Sequence, residues 1–429
     1  MVTKQDVRFD STKLGSGLRV VSEKIPSTRS IAIGVWIDVG SRDETRRENG
    51  ISHFIEHMLF KGTRTRSPQK IAAVLESLGG SLNAFTSREQ TCYHALVLDE
   101  HLEQAIDVLS DILMNSTLSI ANVELEKSVV IEEIREINET PSDRIHELFS
   151  NSFWRGQSLG WPIMGTEKNV RSFDRRKLRT HMRKHYCADR IVIAAAGNVA
   201  HRKLVGLVRE KFDFPLQGIE ARTHRTKNPA GFTAELFQNG SRQTHICLGF
   251  PGVCFVDPMK FPLLALHYYL GGGMSSVLFQ KIREERAMAY TVYTFSDTFS
   301  DSGVFGTYLA TDKRHLNEAI DTILKEFAKV KKYRLSGSQL DRIKDQLKGN
   351  LILALESVSS RMNRIGRHEI MTGKYLSMED TIGKIDTVTA DDVIEVARKV
   401  LNADNLTVTA LGSAYKKDLS KLNWSILRS

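Results

Sequence analysis

The chain carries a copy of itself. HLEQAIDVLSDIL, starting at His101, returns as HLNEAIDTILKEF at His315, and ADRIVIAAAG, starting at Ala188, returns as ADNLTVTALG at Ala403. Both pairs are displaced by half the chain and keep the same order, so the pattern is an internal duplication. This constrains the fold more than any single motif, because each half must build a core of its own along the same plan. Each half mixes strand-like runs with helices grouped after them, the signature of an α+β sandwich in which a mixed sheet packs against helices. The expected organisation is an N-terminal half, 1–215, a linker, 216–231, and a homologous C-terminal half, 232–429. The linker lies in PLQGIEARTHRTKNPAG, a stretch of linker-like composition.

Within the first half, residues 18–21 and 30–39 (SIAIGVWIDV) read as strands, rich in β-branched and aromatic residues. Residues 68–78 read as a helix stopped at Gly79-Gly80, and SLNAFTSREQTCYHALVL from Ser81 as two strands joined by a polar turn. Helices are expected at 101–114 and 123–139, the latter ended by Pro141.

Between the second of these strands and the 68–78 helix lies ISHFIEHMLF, residues 51–60. Ile51, Phe54, Ile55, Met58 and Leu59 fall on one face of a helix packed on a core. The opposite face holds only His53, Glu56 and His57. Three ionisable groups in an otherwise apolar helix need a compensating partner. Two imidazoles four residues apart can hold one zinc ion, and the glutamate beside them can act on water held there rather than bind. This His-x-x-Glu-His order is the inverse of the commoner zinc-protease signature. The alternative is a buried histidine pair satisfied by its neighbours. The duplication supplies a control, since aligning Phe60 with Leu270 places Leu263, Leu266 and His267 opposite the triad. The second half keeps the helix without the three polar groups, so the fold does not require them.

A third ligand is sought on the helix after it. Glu126, Val130, Glu133 and Ile137 share one stripe, so two carboxylates lie among aliphatic residues, a costly arrangement unless a cation or hydrogen bonds offset it. In the duplicate helix Ile343 and Asn350 take the places of the two acids. A carboxylate here completes a three-ligand site with a fourth position open, the form of a catalytic zinc. A salt-bridged helix face is the alternative.

Composition bounds the rest. A chain of 429 residues with 41% hydrophobic and 26% charged residues is globular and too long for one core. Its formal charge of +9 is spread along the sequence among acidic residues, so no nucleic-acid partner is expected. Cys92, Cys187, Cys247 and Cys254 form no paired spacing, which fits free thiols in a reducing compartment. No apolar run is long enough for a membrane span and the first residues have no leader-like apolar core, so a soluble, cytoplasmic protein is expected.

GSRDE at Gly40, HFIEHMLFKGT at His53, GGSLNAFTSREQTCYHA at Gly79, VVIEEI at Val129, LGWPIMGT at Leu159 and LFQKIREERAMAY at Leu278 occur in this order. Together they resemble the pitrilysin-type zinc metallopeptidases, and among them the bacterial relatives of the mitochondrial processing peptidase catalytic (beta) subunit. The resemblance covers nearly the whole chain. It implies that His53, His57 and Glu133, rather than Glu132, hold one zinc per chain. Glu56 is then general base and Glu126 a supporting carboxylate that orients a histidine. It implies a clam-shell of two halves around a cavity, with the second half contributing Arg283 and Tyr290 to hold the substrate backbone and donate to the oxyanion. A surface role for Arg283, beside Lys281 and Arg286, is the alternative.

Asn83, Ala84 and Phe85 match an edge strand that receives substrate as an added strand, although Phe85 fits a core position equally. Asp143 and Glu147 stand where the processing peptidases place acids that receive an arginine near the cleaved bond. With Arg144 between them, SDRIHE also fits a solvated turn. Two positions depart from the family pattern: Val277 where an arginine is common, and Ala287-Met288 where glycine-leucine is common. The expected activity is a zinc endopeptidase acting on short or unfolded peptides, with basic residues favoured near the scissile bond. The rivals are a non-catalytic subunit of a heteromeric protease and a peptide-binding chaperone. A homodimer is expected, with a heterodimer containing an inactive homologue as the alternative.

Overall fold

A computed structural model describes residues 7–216, 226–229, 231–238, 240–413, 419 and 422–428. Much of the expected linker, residues 217–225 and 230, lies outside the described residues. Eleven strands are described: β1 (Arg8–Lys13), β2 (Arg19–Lys24), β3 (Ser30–Ile37), β4 (Ser81–Thr86), β5 (Thr91–Leu98), β6 (Ile191–Gly197), β7 (Thr233–Phe237), β8 (Gln243–Pro251), β9 (Ala289–Thr298), β10 (Gly303–Asp312) and β11 (Thr407–Leu411). They form a sheet ordered β1-β2-β6-β3-β5-β4 and a second ordered β7-β11-β8-β10-β9. In the first sheet β2 and β6 are parallel and the other pairs antiparallel. In the second, β7 and β11 are parallel and the rest antiparallel. Among the described residues, the second sheet repeats β2 to β6 of the first strand for strand. The duplication in the sequence is thus a duplication of topology, and the mixed sheet packed on helices is the expected α+β arrangement.

Each sheet is covered on both faces. In β3, Ile31, Ile33, Val35 and Ile37 face one core while Ala32 and Trp36 face another, the period-two alternation of a strand buried on both sides. The larger core of the first sheet lies under the helices Ile51–Leu59, Leu102–Asn115 and His201–Lys211. Val358, Met362 and Ile365 of the helix Val358–Thr372 cover the other face. The second sheet packs against helices including Lys260–Gly271, Leu316–Lys332 and Ala390–Val400. Its other face meets Ile145, Phe149 and Phe153 of the helix Pro141–Phe153.

These outer helices make the compact units discontinuous in sequence. One unit comprises Met1–Ile134, Trp161–Thr223 and Ile352–Leu376, and the other Arg135–Gly160, His224–Leu351 and Ser377–Ser429. Each unit therefore takes one outer helix from the other half of the duplication. The close packing is written into both copies. A Cβ on Gly34 of β3 would lie 2.6 Å from Met362 Sδ, and one on Gly249, the duplicate position in β8, would lie 2.1 Å from Phe149 Cζ. Only a glycine lets the helix come so near. In the first unit the buried Arg361–Glu23 pair, 3.4 Å apart, and a 2.9 Å bond from Tyr375 to Glu23 add polar ties.

The local expectations are met with two differences. β1 went unseen, because RFDSTK lacks the β-branched and aromatic density of a strand and pairs as an edge. Pro141 ends one helix, Ile120–Glu139, and also opens the next, Pro141–Phe153. Its missing N–H costs nothing in a first turn, so the segment from Pro141 to Glu147 is helical rather than a turn.

Candidate metal centre

The helix Ile51–Leu59 buries Ile51, Phe54, Ile55, Met58 and Leu59 completely or nearly so. It holds no side-chain cap of its own, and Glu44 takes that role from a distance. The buried Glu44 carboxylate accepts from Gly50 N at 2.7 Å, Ser52 N at 2.8 Å and Asn49 Nδ2 at 3.0 Å. A carboxylate there satisfies free N–H groups at the positive end of the helix. Burial still outweighs these bonds and lifts Glu44 to a pKa of about 7. Sequence spacing gave no sign of this cap.

One group of three metal-competent side chains is found among the described residues: His53, His57 and Glu133, with ligand atoms all within 4.8 Å of one another. Glu133 Oε2 lies 4.0 Å from His53 Nε2 and 3.5 Å from His57 Nε2. Zinc bonds of about 2.1 Å place tetrahedral ligands about 3.4 Å apart, so a modest contraction would suit the ion. Glu133 Oε2 is buried without a hydrogen-bond partner, and so is His53 Nδ1. An orphaned carboxylate oxygen facing two imidazole nitrogens fits a cation.

The surrounding charges agree. Glu126, 1% exposed, takes a 2.9 Å bond from His57 Nδ1 and a 2.8 Å ion pair from Lys61. Because the Glu126 carboxylate accepts, the first bond puts the His57 proton on Nδ1 and leaves Nε2 facing Glu133. Burial works to raise the Glu126 pKa, but His57 and Lys61 outweigh it and hold Glu126 below the usual range. Burial and the neighbouring His57 lower His53 to about 3, so it is a neutral donor. His57 is raised despite burial, because Glu126, Glu133 and Glu56 surround it. Glu126, Glu133 and Glu56 gather three carboxylates around His57 with Lys61 paired to one of them, an acidic surplus that suits a divalent cation.

Glu56 is next to this group and outside it. Its pKa is raised, first by burial, with a 2.5 Å bond from Thr86 Oγ1 and the charge of His57 acting the other way. A partly desolvated carboxylate beside a candidate metal group has the properties a general base needs. Lys61 and Thr86 join Glu44 as site residues that the sequence reading missed. For Lys61 a signal existed, since it follows His57 by four residues.

The remaining candidates are distributed over the two units. Asn83, Ala84 and Phe85 lie on β4, the edge of the first sheet. Asn83 is exposed and accepts from Ala84 N, while the Phe85 ring packs edge-on against Trp36 at 5.5 Å. Phe85 thus anchors the strand through core packing. In the second unit, Arg283 sits on the π-helical turn Phe279–Glu284, a rare conformation. Its guanidinium lies 4.4 Å from the Tyr290 ring centroid and 4.7 Å from that of Phe279. Arg283 and Tyr290 line a cavity of about 450 Å³ together with His267, Gly271 and Met274. Asp143 and Glu147 share one side of the helix Pro141–Phe153, with Glu147 paired to Arg144 at 3.2 Å. Ala287, at the position where the resemblance has glycine, is left-handed with φ 48°.

The second unit confirms the internal control. Leu263 and Leu266 are core residues, and His267 bonds Thr294 at 2.8 Å. Ile343 is buried, and Asn350 bonds the Tyr268 hydroxyl. Among the described residues, no second group of metal-competent side chains stands there.

The family model of insulinase, peptidase family M16, matches residues 19–167, and that of the M16 peptidase inactive domain matches residues 172–347. A protein of Streptomyces coelicolor is 39% identical over 96% of this chain and 91% of its own length. This chain belongs to peptidase family M16. A Bacillus subtilis member is also 39% identical, over 91% of this chain and 95% of its own, and both relatives are named uncharacterized zinc proteases. A solved protease structure from Helicobacter pylori shares the fold, with a TM-score of 0.89 at 22% identity, covering 95% of this chain and all of that one. The model that matches the second half is described as inactive, in keeping with the His-x-x-Glu-His order of residues 53–57, which the duplicate positions in the second half lack. No helix among the described residues is long and apolar enough to cross a membrane.

Proposed function

We propose that this M16 protein is a zinc-dependent endopeptidase that cleaves short or unfolded peptides. The observation that carries the reading is the orphaned, buried Glu133 Oε2 facing Nε2 of both His53 and His57, with the Glu56 carboxylate beside them. His53, His57 and Glu133 would hold one zinc per chain. Bound there, zinc would supply a Lewis acid that polarises the scissile carbonyl and acidifies water. Glu56 takes the proton from the attacking water and returns it to the leaving amine, and Glu126 keeps His57 in the ligating tautomer through Nδ1.

The free edge of β4 offers main-chain groups to an extended peptide, which accounts for tolerance of varied side chains. Arg283 and Tyr290 hold the substrate backbone and donate to the oxygen that gains charge as water adds. Asp143 and Glu147 favour basic residues near the scissile bond. The proposed working unit is a homodimer.

Metal analysis together with cleavage of an unstructured peptide library tests the reading. The expected result is about one zinc per chain in both the wild type and Glu56→Gln, with turnover in the variant lower by roughly 10²-fold to 10⁴-fold. A fully active Glu56→Gln protein would remove Glu56 from the role of base.

A further inference from the structure

We propose that Thr86 is a positioning residue for Glu56: its hydroxyl clamps one carboxylate oxygen and leaves the other free to exchange a proton with water. This rests on the peptidase reading above. The Thr86 hydroxyl donates to Glu56 Oε2 across 2.5 Å, linking the last residue of β4 to the middle of the motif helix. A carboxylate on a helix turns about three side-chain bonds, and only a fixed partner holds one oxygen in place. The Thr86 bond is made to a carboxylate, and hydrogen bonds to such acceptors fix geometry more firmly than neutral ones.

The strand dictates the direction of this hydroxyl. Leu82, Ala84 and Thr86 fall on one face of β4, and Leu82 and Ala84 pack on the core that contains the motif helix. Phe85 points the other way, into the core with Trp36. Thr86 pairs with Thr91 at the end of the ladder, where the chain turns through Ser87 and Gln90. A shift of one residue would carry Thr86 to the far face, so the Phe85 anchor also sets the Thr86 contact. The edge proposed to receive the peptide and the group that holds the base are therefore one rigid strand, and Glu56 is registered to the substrate backbone.

Thr86→Val keeps the shape and removes the hydroxyl, Thr86→Ser keeps the hydroxyl, and Thr86→Ala is a smaller change should the valine variant fold poorly. We expect Thr86→Val and Thr86→Ala to lose roughly 10-fold to 100-fold in kcat with KM, zinc content and melting temperature little changed. Thr86→Ser should stay within about threefold of wild type. In a Glu56→Gln background, Thr86→Val should change the residual rate by less than about threefold, since the group it positions is gone. A loss expressed in KM would assign Thr86 to the peptide strand and overturn the proposal. So would undiminished kcat in both variants lacking the hydroxyl, or a serine variant as impaired as the valine one. Crystal structures of wild type and Thr86→Val give a readout independent of turnover: Glu56 fixed in the same place without the hydroxyl refutes the clamp. An inactive wild type would instead refute the peptidase reading, and the crystallographic comparison would still decide the role of Thr86.

Discussion

Glu126 is not itself a proposed ligand, yet it sets the state of one. It is buried, and its two bonds tie His57 to Lys61. In Glu126→Ala the His57 Nδ1 proton loses its acceptor, the ring is free to turn, and Lys61 is left beside the proposed ligands. Zinc affinity is expected to fall roughly 10-fold to 100-fold, measured by competition with a chromogenic chelator, whereas Glu132→Ala on the exposed face of the same helix should leave it within about twofold. Sequence reading singled out His53, His57, Glu126 and Glu133 because each lies at a definite point of a helical period, and the family resemblance alone chose Glu133 over Glu132. It did not reach Glu44 or Thr86, whose partners are far away along the chain, and no period relates a cap or a strand end to a helix it meets only after folding.

At the level of elements, the decisive feature is how close the two outer helices come to their sheets. Gly249→Ala would drive a methyl group into the Phe149 ring, which is packed between Phe153 and Phe295 and cannot swing aside. Destabilisation of about 1–3 kcal/mol is expected from overpacking at such a contact. Gly206→Ala, in the helix His201–Lys211 with open space around the new methyl, should stabilise by about 0.5–1 kcal/mol through helix propensity. Urea unfolding of both variants checks the opposite signs. Strand and helix positions were largely legible, since β-branched runs and apolar stripes are local. The edge strand β1 was not, because it buries too little to need an apolar pattern.

Across the whole molecule, buried and half-buried histidines make stability depend on pH. Burial and then Arg190 lower His185 in the first unit to about 4, and burial lowers His267 in the second to about 4. Both lie below the unfolded value of 6.5, so between pH 6.5 and 4 the unfolded chain binds more protons than the native one. Their contribution is complete above about pH 6.5 and is lost as pH falls towards 4. Each histidine should account for roughly 1–2 kcal/mol of lost stability between pH 7 and pH 5. Urea midpoints at the two pH values test this, and the drop should be smaller in His267→Asn. His267 sits where His57 sits in the first half, so one duplicated position serves a proposed ligand in one unit and a half-buried bond to Thr294 in the other.

The sequence by itself determined the duplication, the two sheet-and-helix units, the motif helix and the stripe that carries Glu133, because these are written in periods of two and 3.6 residues and in a repeat that survives divergence. Tertiary structure decided which helix covers which sheet. The outer face of the first sheet takes residues 358–372 and that of the second takes residues 141–153, through matched glycines whose purpose shows only when a side chain lies above them. It also decided the shell around the site, the Glu44 cap, the Lys61–Glu126–His57 chain and the Thr86 clamp. The physical reason is the same in each case: a hydrogen bond or close contact needs a fit of a few tenths of an ångström, which local periodicity does not encode and only the packed chain fixes.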